Sequence, residues 1–255
     1  MEHLLGKTAI ITGASRGIGE ATARCFAKLG AKVVLAARSK ADIDAITEDL
    51  CSAGYQAIAK RCDVRDNEGV KSVVEATTEI FGGLDFLVNN AGLIDPIALL
   101  SDSEPEAWGR CLDVNVKGVY HGFRHALPVM RAQQSGTIIN LSSGAATSYL
   151  EGWAHYCASK AAVQSLTGVA HKENASYGIR VIGLSPGTVA TDMQVLIKAS
   201  GINPVSQIDP NAHIPAAWVA QAIAVLCGPE GDEFCGTDFS LKTNAGRQKV
   251  GLPLL

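Results

Sequence analysis

Short runs of β-branched and other apolar residues alternate along the chain with longer amphipathic segments. TAIIT (8–12), KVVLAA (32–37), AIAKRCDV (57–64), DFLVNN (85–90), GTIINLSS (136–143) and RVIGLSP (180–186) each precede a helix-like or loop stretch. That alternation predicts βα repeats around a parallel sheet. The runs are apolar on both sides instead of alternating residue by residue, as strands covered by helices on both faces require. The expected fold is α/β, a doubly wound parallel sheet flanked by helices. No Ser/Pro/Gly-rich linker, charge block or fixed-period repeat divides the chain, so residues 1–255 are expected to form one domain. The one long segment without a clear period lies between Thr191 and Pro215, where KASGINPVSQIDPNAHIP holds three of the nine prolines. A loop bearing on substrate is expected at about 192–215.

Composition narrows the function classes. Apolar residues make up 47% of the 255 residues and charged residues 18%, ample for one large core and unlike a disordered chain. A formal net charge of −3 argues against nucleic acid or an anionic membrane as partner. No apolar run approaches the ~20 residues that span a bilayer, and MEHLLGKTAIITG lacks the basic and apolar regions of a signal peptide. Seven cysteines, Cys25, Cys51, Cys62, Cys111, Cys157, Cys227 and Cys235, are scattered without metal-ligand spacing. Reduced thiols in a cytoplasmic protein with no metal site are expected.

The first candidate for chemistry is TGASRGIG, with Gly13, Gly17 and Gly19, followed by a helix-like EATARCFAKLG. Glycines between a strand and a helix let backbone approach a pyrophosphate, and the helix N-terminus offers N–H groups and a favourable dipole. The spacing is not GxGxxG. It resembles the TGxxxGxG turn of the short-chain dehydrogenase/reductase family, which implies a single-domain Rossmann-like fold that binds a nicotinamide dinucleotide. On that resemblance Gly13, Ser15, Arg16, Gly17, Ile18 and Gly19 are expected around the pyrophosphate. In a dinucleotide fold an acid at the end of the second strand binds the ribose 2′-hydroxyl. Here AARSK puts Ala37 in that place, followed by Arg38, Ser39 and Lys40. With Arg16 near the same corner, two guanidinium groups suit a phosphate, and NADP(H) is expected over NAD(H). Further motifs fall in the family's order. Asp63 and Val64 of CDV are implied around adenine. Asn90, Ala91 and Gly92 of NNAG are implied beside the nicotinamide half, with Asn89 structural. Pro186, Gly187, Val189 and Thr191 of PGTVAT are implied around the carboxamide.

Tyr156 and Lys160 in HYCASK stand at i and i+4, on one face of a helix. Reducing a carbonyl needs a proton donor at its oxygen, and a phenol of ordinary pKa about 10 is a sluggish partner near neutral pH. An ammonium nearby favours the phenolate. Tyr156 is therefore expected as general acid in reduction and general base in oxidation, with Lys160 lowering its pKa. The resemblance also implies that Lys160 holds the nicotinamide ribose. Ser143 stands thirteen residues before Tyr156, the family's spacing for a serine that hydrogen-bonds the substrate oxygen; Ser142 is expected to be structural. Asn115 in LDVNVKG matches the family's fourth active-site residue, whose side chain is implied to hold a water in a proton relay to the lysine.

Ile94, Leu99, Tyr149, Leu150, Trp153, Met193 and Leu196, in the loops expected to meet substrate, carry few charges. They suggest an apolar or aromatic ketone or aldehyde, with His155 at the rim or the surface. GWAHYCASKAA and TDMQ are locally similar to sepiapterin and diketone reductases, while the tail GRQKVGLPLL differs from that of the carrier-protein β-ketoacyl reductases. The resemblance also implies a homodimer or homotetramer through the helices around Trp108–Met130 and Tyr156–Ser176. Two other readings stay open: an NAD-dependent alcohol or polyol dehydrogenase, and a non-catalytic NADP-binding sensor.

Overall fold

The computed structural model describes all residues 1–255. Seven strands form one all-parallel sheet: β1 (Thr8–Thr12), β2 (Lys32–Ala37), β3 (Ala57–Arg61), β4 (Phe86–Asn89), β5 (Gly136–Leu141), β6 (Ile179–Ser185) and β7 (Asp238–Ser240). Their spatial order is β3-β2-β1-β4-β5-β6-β7. The six strands expected from sequence all form. β7 was not expected, since three residues, DFS, carry no periodicity.

Nine helices accompany the strands: α1 (Gly17–Lys28), α2 (Lys40–Ser52), α3 (Asn67–Phe81), α4 (Pro105–Leu112), α5 (Gly118–Gln133), α6 (Ala154–Asn174), α7 (Asp192–Ser200), α8 (Ala216–Leu226) and α9 (Asn244–Lys249). A wide π-helical turn, Asp113–Lys117, joins α4 to α5. One face of the sheet packs a core that includes Phe26, Ile43 and Val219 from α1, α2 and α8. The other packs Val73, Phe123, Met130 and Val163 from α3, α5 and α6. The two-sided core is the reason the strand sequences are apolar throughout.

One expectation is corrected. The segment at 192–215 is not a continuous loop, because α7 occupies Asp192–Ser200 and short 3-10 turns follow at Pro204–Gln207 and Pro210–Ala212. Each turn begins with a proline after a side-chain cap, Asn203 or Asp209, so these prolines start helical turns. The sheet reverses its winding between β1 and β4, and a crevice opens there beyond the carboxyl ends of the strands.

Candidate active site

β1 delivers the glycine turn to the crevice. Gly13 and Gly17 have φ of +64° and +59°, conformations that L side chains rarely adopt. Gly19 is required for a different reason: a Cβ there would stand 2.3 Å from the Gly13 carbonyl oxygen. The turn is tied to the end of β4, where the Asn90 amide donates to the carbonyls of Thr12 (2.8 Å) and Gly13 (3.2 Å). The Thr12 hydroxyl accepts from the backbone N–H of Asn90 and Ala91. No side chain caps the start of α1, so its first N–H groups keep their affinity for an anion. This bare, glycine-lined cradle fits a dinucleotide pyrophosphate.

A cavity of about 1120 Å³ runs from the turn across the strand ends. Ser15, Arg16, Ile18, Arg38, Ser39, Asp63, Val64, Asn90, Ala91, Gly92, Pro186, Gly187, Val189 and Thr191 line it with Gly13 and Gly17. Gly19 lies under the turn and is not on the wall. Ser143, Tyr156 and Lys160 line the same cavity, whereas Asn115 is buried outside its wall. Beyond Tyr156 a small apolar cluster of Ile94, Ala145, Trp153 and Ile197 closes the far end, flanked by Leu150, Met193 and Val205.

Tyr156 is buried with its ring edge-on to Trp153 at 5.7 Å between centroids. Burial pushes its phenol up to about 12, with the neighbouring Ser143 hydroxyl pulling the other way. Lys160 does not bring it down in this state. Its ammonium donates to the Leu141 carbonyl at 2.6 Å and sits 5.5 Å from the Tyr156 ring centroid. Burial lowers the Lys160 pKa to about 8, because an ammonium inside the protein loses its hydration.

Asn115 sits in the π-helical turn between α4 and α5. Its Oδ1 accepts from the Leu93 N–H (2.8 Å), and its Nδ2 donates to the Leu93 carbonyl (2.8 Å) and the Ser159 hydroxyl (3.0 Å). The amide thus clamps Leu93 to α6. Asn89 donates to Asn140, which donates to Thr167, a buried ladder joining β4, β5 and α6. Ser142, at the cavity wall, donates its hydroxyl to the Asp238 carboxylate.

His155 is a second correction. It is neither rim nor surface residue but fully buried, with Nε2 at 2.6 Å from the Ile94 carbonyl and Nδ1 without a partner. Burial lowers its pKa, so the ring is a neutral donor bracing the Ile94 loop. Leu99 and Tyr149 are exposed and off the cavity wall. Sequence reading missed Ile197, Val205 and Lys242, which line the cavity; no local pattern marks them.

At the ribose corner Ala37 is buried and Arg38 exposed at the cavity edge. Arg16 turns to Asp192 at 3.1 Å and Lys40 pairs with Asp44, leaving Arg38 as the guanidinium free for a phosphate. Arg65 grips the Asp63 carboxylate through Nε at 3.0 Å and Nη2 at 2.6 Å, which lowers the Asp63 pKa.

Comparison with known proteins agrees with this geometry. A family model described as short chain dehydrogenase matches residues 7–200. An uncharacterized oxidoreductase of Staphylococcus saprophyticus is 37% identical over 227 residues, 88% of this chain and 90% of that protein. The 3-oxoacyl-[acyl-carrier-protein] reductase FabG of Staphylococcus aureus is 40% identical over 188 residues, 73% of this chain and 76% of the relative. Among solved structures, an NAD+-bound xylitol dehydrogenase superposes with a TM-score of 0.87 at 26% identity, covering 93% of this chain and 98% of that one. A short-chain type dehydrogenase/reductase from Mycobacterium marinum gives 0.85 at 30% identity, covering 93% and 94%.

Proposed function

Because the chain belongs to the short-chain dehydrogenase/reductase family, oxidoreductases that use nicotinamide cofactors, we propose that it is an NADP(H)-dependent carbonyl reductase and alcohol dehydrogenase acting on an apolar or aromatic ketone or aldehyde. The observation that carries this reading is one cavity that joins the glycine cradle to Ser143 and Tyr156 and then to an apolar end.

The glycine turn with Ser15 and Ile18 would hold the pyrophosphate, Arg38 and Ser39 the 2′-phosphate, and Asp63 and Val64 the adenine. Asn90 to Gly92 and Pro186 to Thr191 would hold the nicotinamide half. When bound, the nicotinamide supplies a hydride in reduction and accepts one in oxidation. A phenol raised to about 12 stays protonated across the neutral range, so Tyr156 can always donate its proton to the substrate oxygen. The Ser143 hydroxyl donates a hydrogen bond to the same oxygen as charge develops there. Lys160 keeps a positive charge behind the phenol, and Asn115 positions the helix that carries both. Met193, Leu150 and Trp153 would contact the body of the substrate, and few charges oppose an apolar one.

An NAD-dependent alcohol or polyol dehydrogenase is the second reading, favoured by the likeness to an NAD+-bound xylitol dehydrogenase; Arg38 speaks against it. Seven unpaired cysteines fit a cytoplasmic setting, and exposed Tyr120 and Val169 on α5 and α6 fit a homodimer or homotetramer, which light scattering would test. The function is tested by following NADPH consumption over aryl ketones, diketones, β-ketoacyl thioesters and sugars, with polyols and NADP+ or NAD+ in the reverse direction. Turnover of an apolar carbonyl with NADPH, lost by about 10²–10⁴-fold in Tyr156→Phe while NADPH still binds, is the expected result. Wild-type rates in Tyr156→Phe would overturn it, and full inactivity over the panel with NADPH binding intact would favour a sensor.

A further inference from the structure

Tyr156, Lys160 and Gln164 follow one another at i, i+4 and i+8 along one face of α6. The mechanism uses the first two. Beyond the third stands Asp238, the first residue of β7, whose carboxylate no step above employs. Asp238 pairs in register with Gly183 of β6, and its Oδ1 lies where a side chain on Gly183 would be, 1.7 Å from the position of a Cβ. Glycine at 183 lets the carboxylate reach across β6 to β5. There the Ser142 hydroxyl donates to Oδ2, and from α6 the Gln164 amide approaches the same oxygen at 3.5 Å. Oδ1 is buried with no hydrogen-bond donor. Both neighbours donate, which is the arrangement an ionised carboxylate requires. Ser142 also follows Leu141, whose carbonyl holds the Lys160 ammonium, so the anion and the cation share one strand end.

We propose that Asp238 is a positioning residue of the reaction: through Ser142 and across the end of β5 it supplies the negative charge that keeps Lys160 protonated behind Tyr156. The groups facing Lys160 are Tyr156 on α6, Cys111 on α4 and Asp238 on β7. The Tyr156 phenol stands at about 12 and the Cys111 thiol is pushed up to about 11 by burial, so both are neutral where Lys160 titrates. Asp238 is the remaining anion. Burial drives the Lys160 pKa down to about 8; of the two groups that oppose this fall, Cys111 and then Asp238, only the carboxylate is charged there. In return the Ser142 hydroxyl and then Lys160 oppose the rise that burial imposes on Asp238. An unpaired buried carboxylate oxygen is costly in a dry interior, so its placement beside a buried cation has an electrostatic reason.

The catalytic meaning of this pair rests on the function proposed above, so the test is chosen to work without turnover. Competitive labelling of the ligand-free protein with trace acetic anhydride across pH, read by mass spectrometry on the peptide holding Lys160, reports the midpoint at which that amine loses its proton. In Asp238→Asn and Asp238→Thr the midpoint is expected to fall by about one unit, with surface lysines unchanged as internal controls. The threonine variant retains a β-former and a hydroxyl for Ser142, so the strand survives if the asparagine variant folds poorly. An unmoved midpoint in either folded variant would overturn the proposal. If the wild type turned over no carbonyl compound but the midpoint still moved, the assigned function would fall and the pairing would stand. Where turnover is found, the alkaline limb of kcat should move acid-ward by the same amount with KM for NADPH unchanged; a limb that stays in place would contradict the positioning role.

Discussion

Replacing Gly19 by alanine sets two effects against each other at one atom. Gly19 lies in α1, and in a helix interior the exchange normally stabilises by about 1 kcal/mol, since alanine loses less backbone freedom. The added methyl, however, would meet the Gly13 carbonyl oxygen at 2.3 Å and the Asn90 Nδ2 at 2.6 Å. Neither neighbour can yield cheaply. The first is backbone in a left-handed turn, and the second holds two carbonyls of that turn. Overpacking of this kind costs about 1–3 kcal/mol, and loss of the Asn90 bonds adds about 1 kcal/mol each. Steric cost therefore wins, and a net loss of about 2–4 kcal/mol is expected. At about 2–4 °C per kcal/mol for a chain of this size, Tm should fall by about 4–16 °C. Opening the cradle should also weaken NADPH binding, because the backbone no longer approaches the pyrophosphate closely. Gly109 in α4 is the control, with nothing within 4 Å of a Cβ there; Gly109→Ala should raise Tm by about 2–4 °C and leave binding alone. Thermal unfolding and calorimetric titration with NADPH measure both quantities. A Gly19→Ala protein that is stabilised like Gly109→Ala and binds NADPH normally would refute the steric account of the turn.

Lys160 ties stability to pH. Its pKa is lowered from 10.5 to about 8 by burial, so between pH 8 and 10.5 the unfolded chain binds the extra proton and stability should rise with pH in that window. Tyr156, raised from 10.0 to about 12, has the opposite sign and should lower stability between pH 10 and 12. Lys160→Met should relieve a desolvation penalty of about 3 kcal/mol at neutral pH, offset by about 1–2 kcal/mol for the orphaned Leu141 carbonyl. A Tm raised by a few degrees together with lost turnover is expected, and a lowered Tm would count against the penalty. For Arg38→Asp, fluorescence titration should show NADPH binding weakened by about 10–100-fold and NADH binding retained; unchanged preference would remove Arg38 from the ribose corner. Trp153→Ala should cost about 3–5 kcal/mol by urea unfolding and lower kcat as Tyr156 loses its edge-on support, whereas a loss under 1 kcal/mol would show that the cluster collapses freely.

The parts of the site that were legible in sequence are those in which one local segment carries the whole meaning. TGASRGIG dictates a tight turn between a strand and a helix, NNAG ends the fourth strand in the crevice, and YCASK places two side chains on one helical face. The apolar strand runs announced helices on both sides. Asn115, read as a relay residue, was found by its position, but its amide contacts Leu93 and Ser159, partners 22 and 44 residues away. His155 looked like a rim residue because nothing in GWAHYC shows that Ile94 closes over it.

What the sequence determined by itself was periodicity and backbone necessity: which segments become strands, where glycine is indispensable, and which residue types face one another a helical turn apart. These follow from forces acting within a few residues of each other. Only the tertiary structure decided which charges meet. It turned Arg16 to Asp192 and left Arg38 free, sank the Lys160 ammonium against the Leu141 carbonyl, and brought Asp238 from near the chain's end across Gly183 to Ser142. Burial and long-range pairing set the free energies of those groups, and both depend on contacts between residues far apart in sequence, which no local pattern encodes.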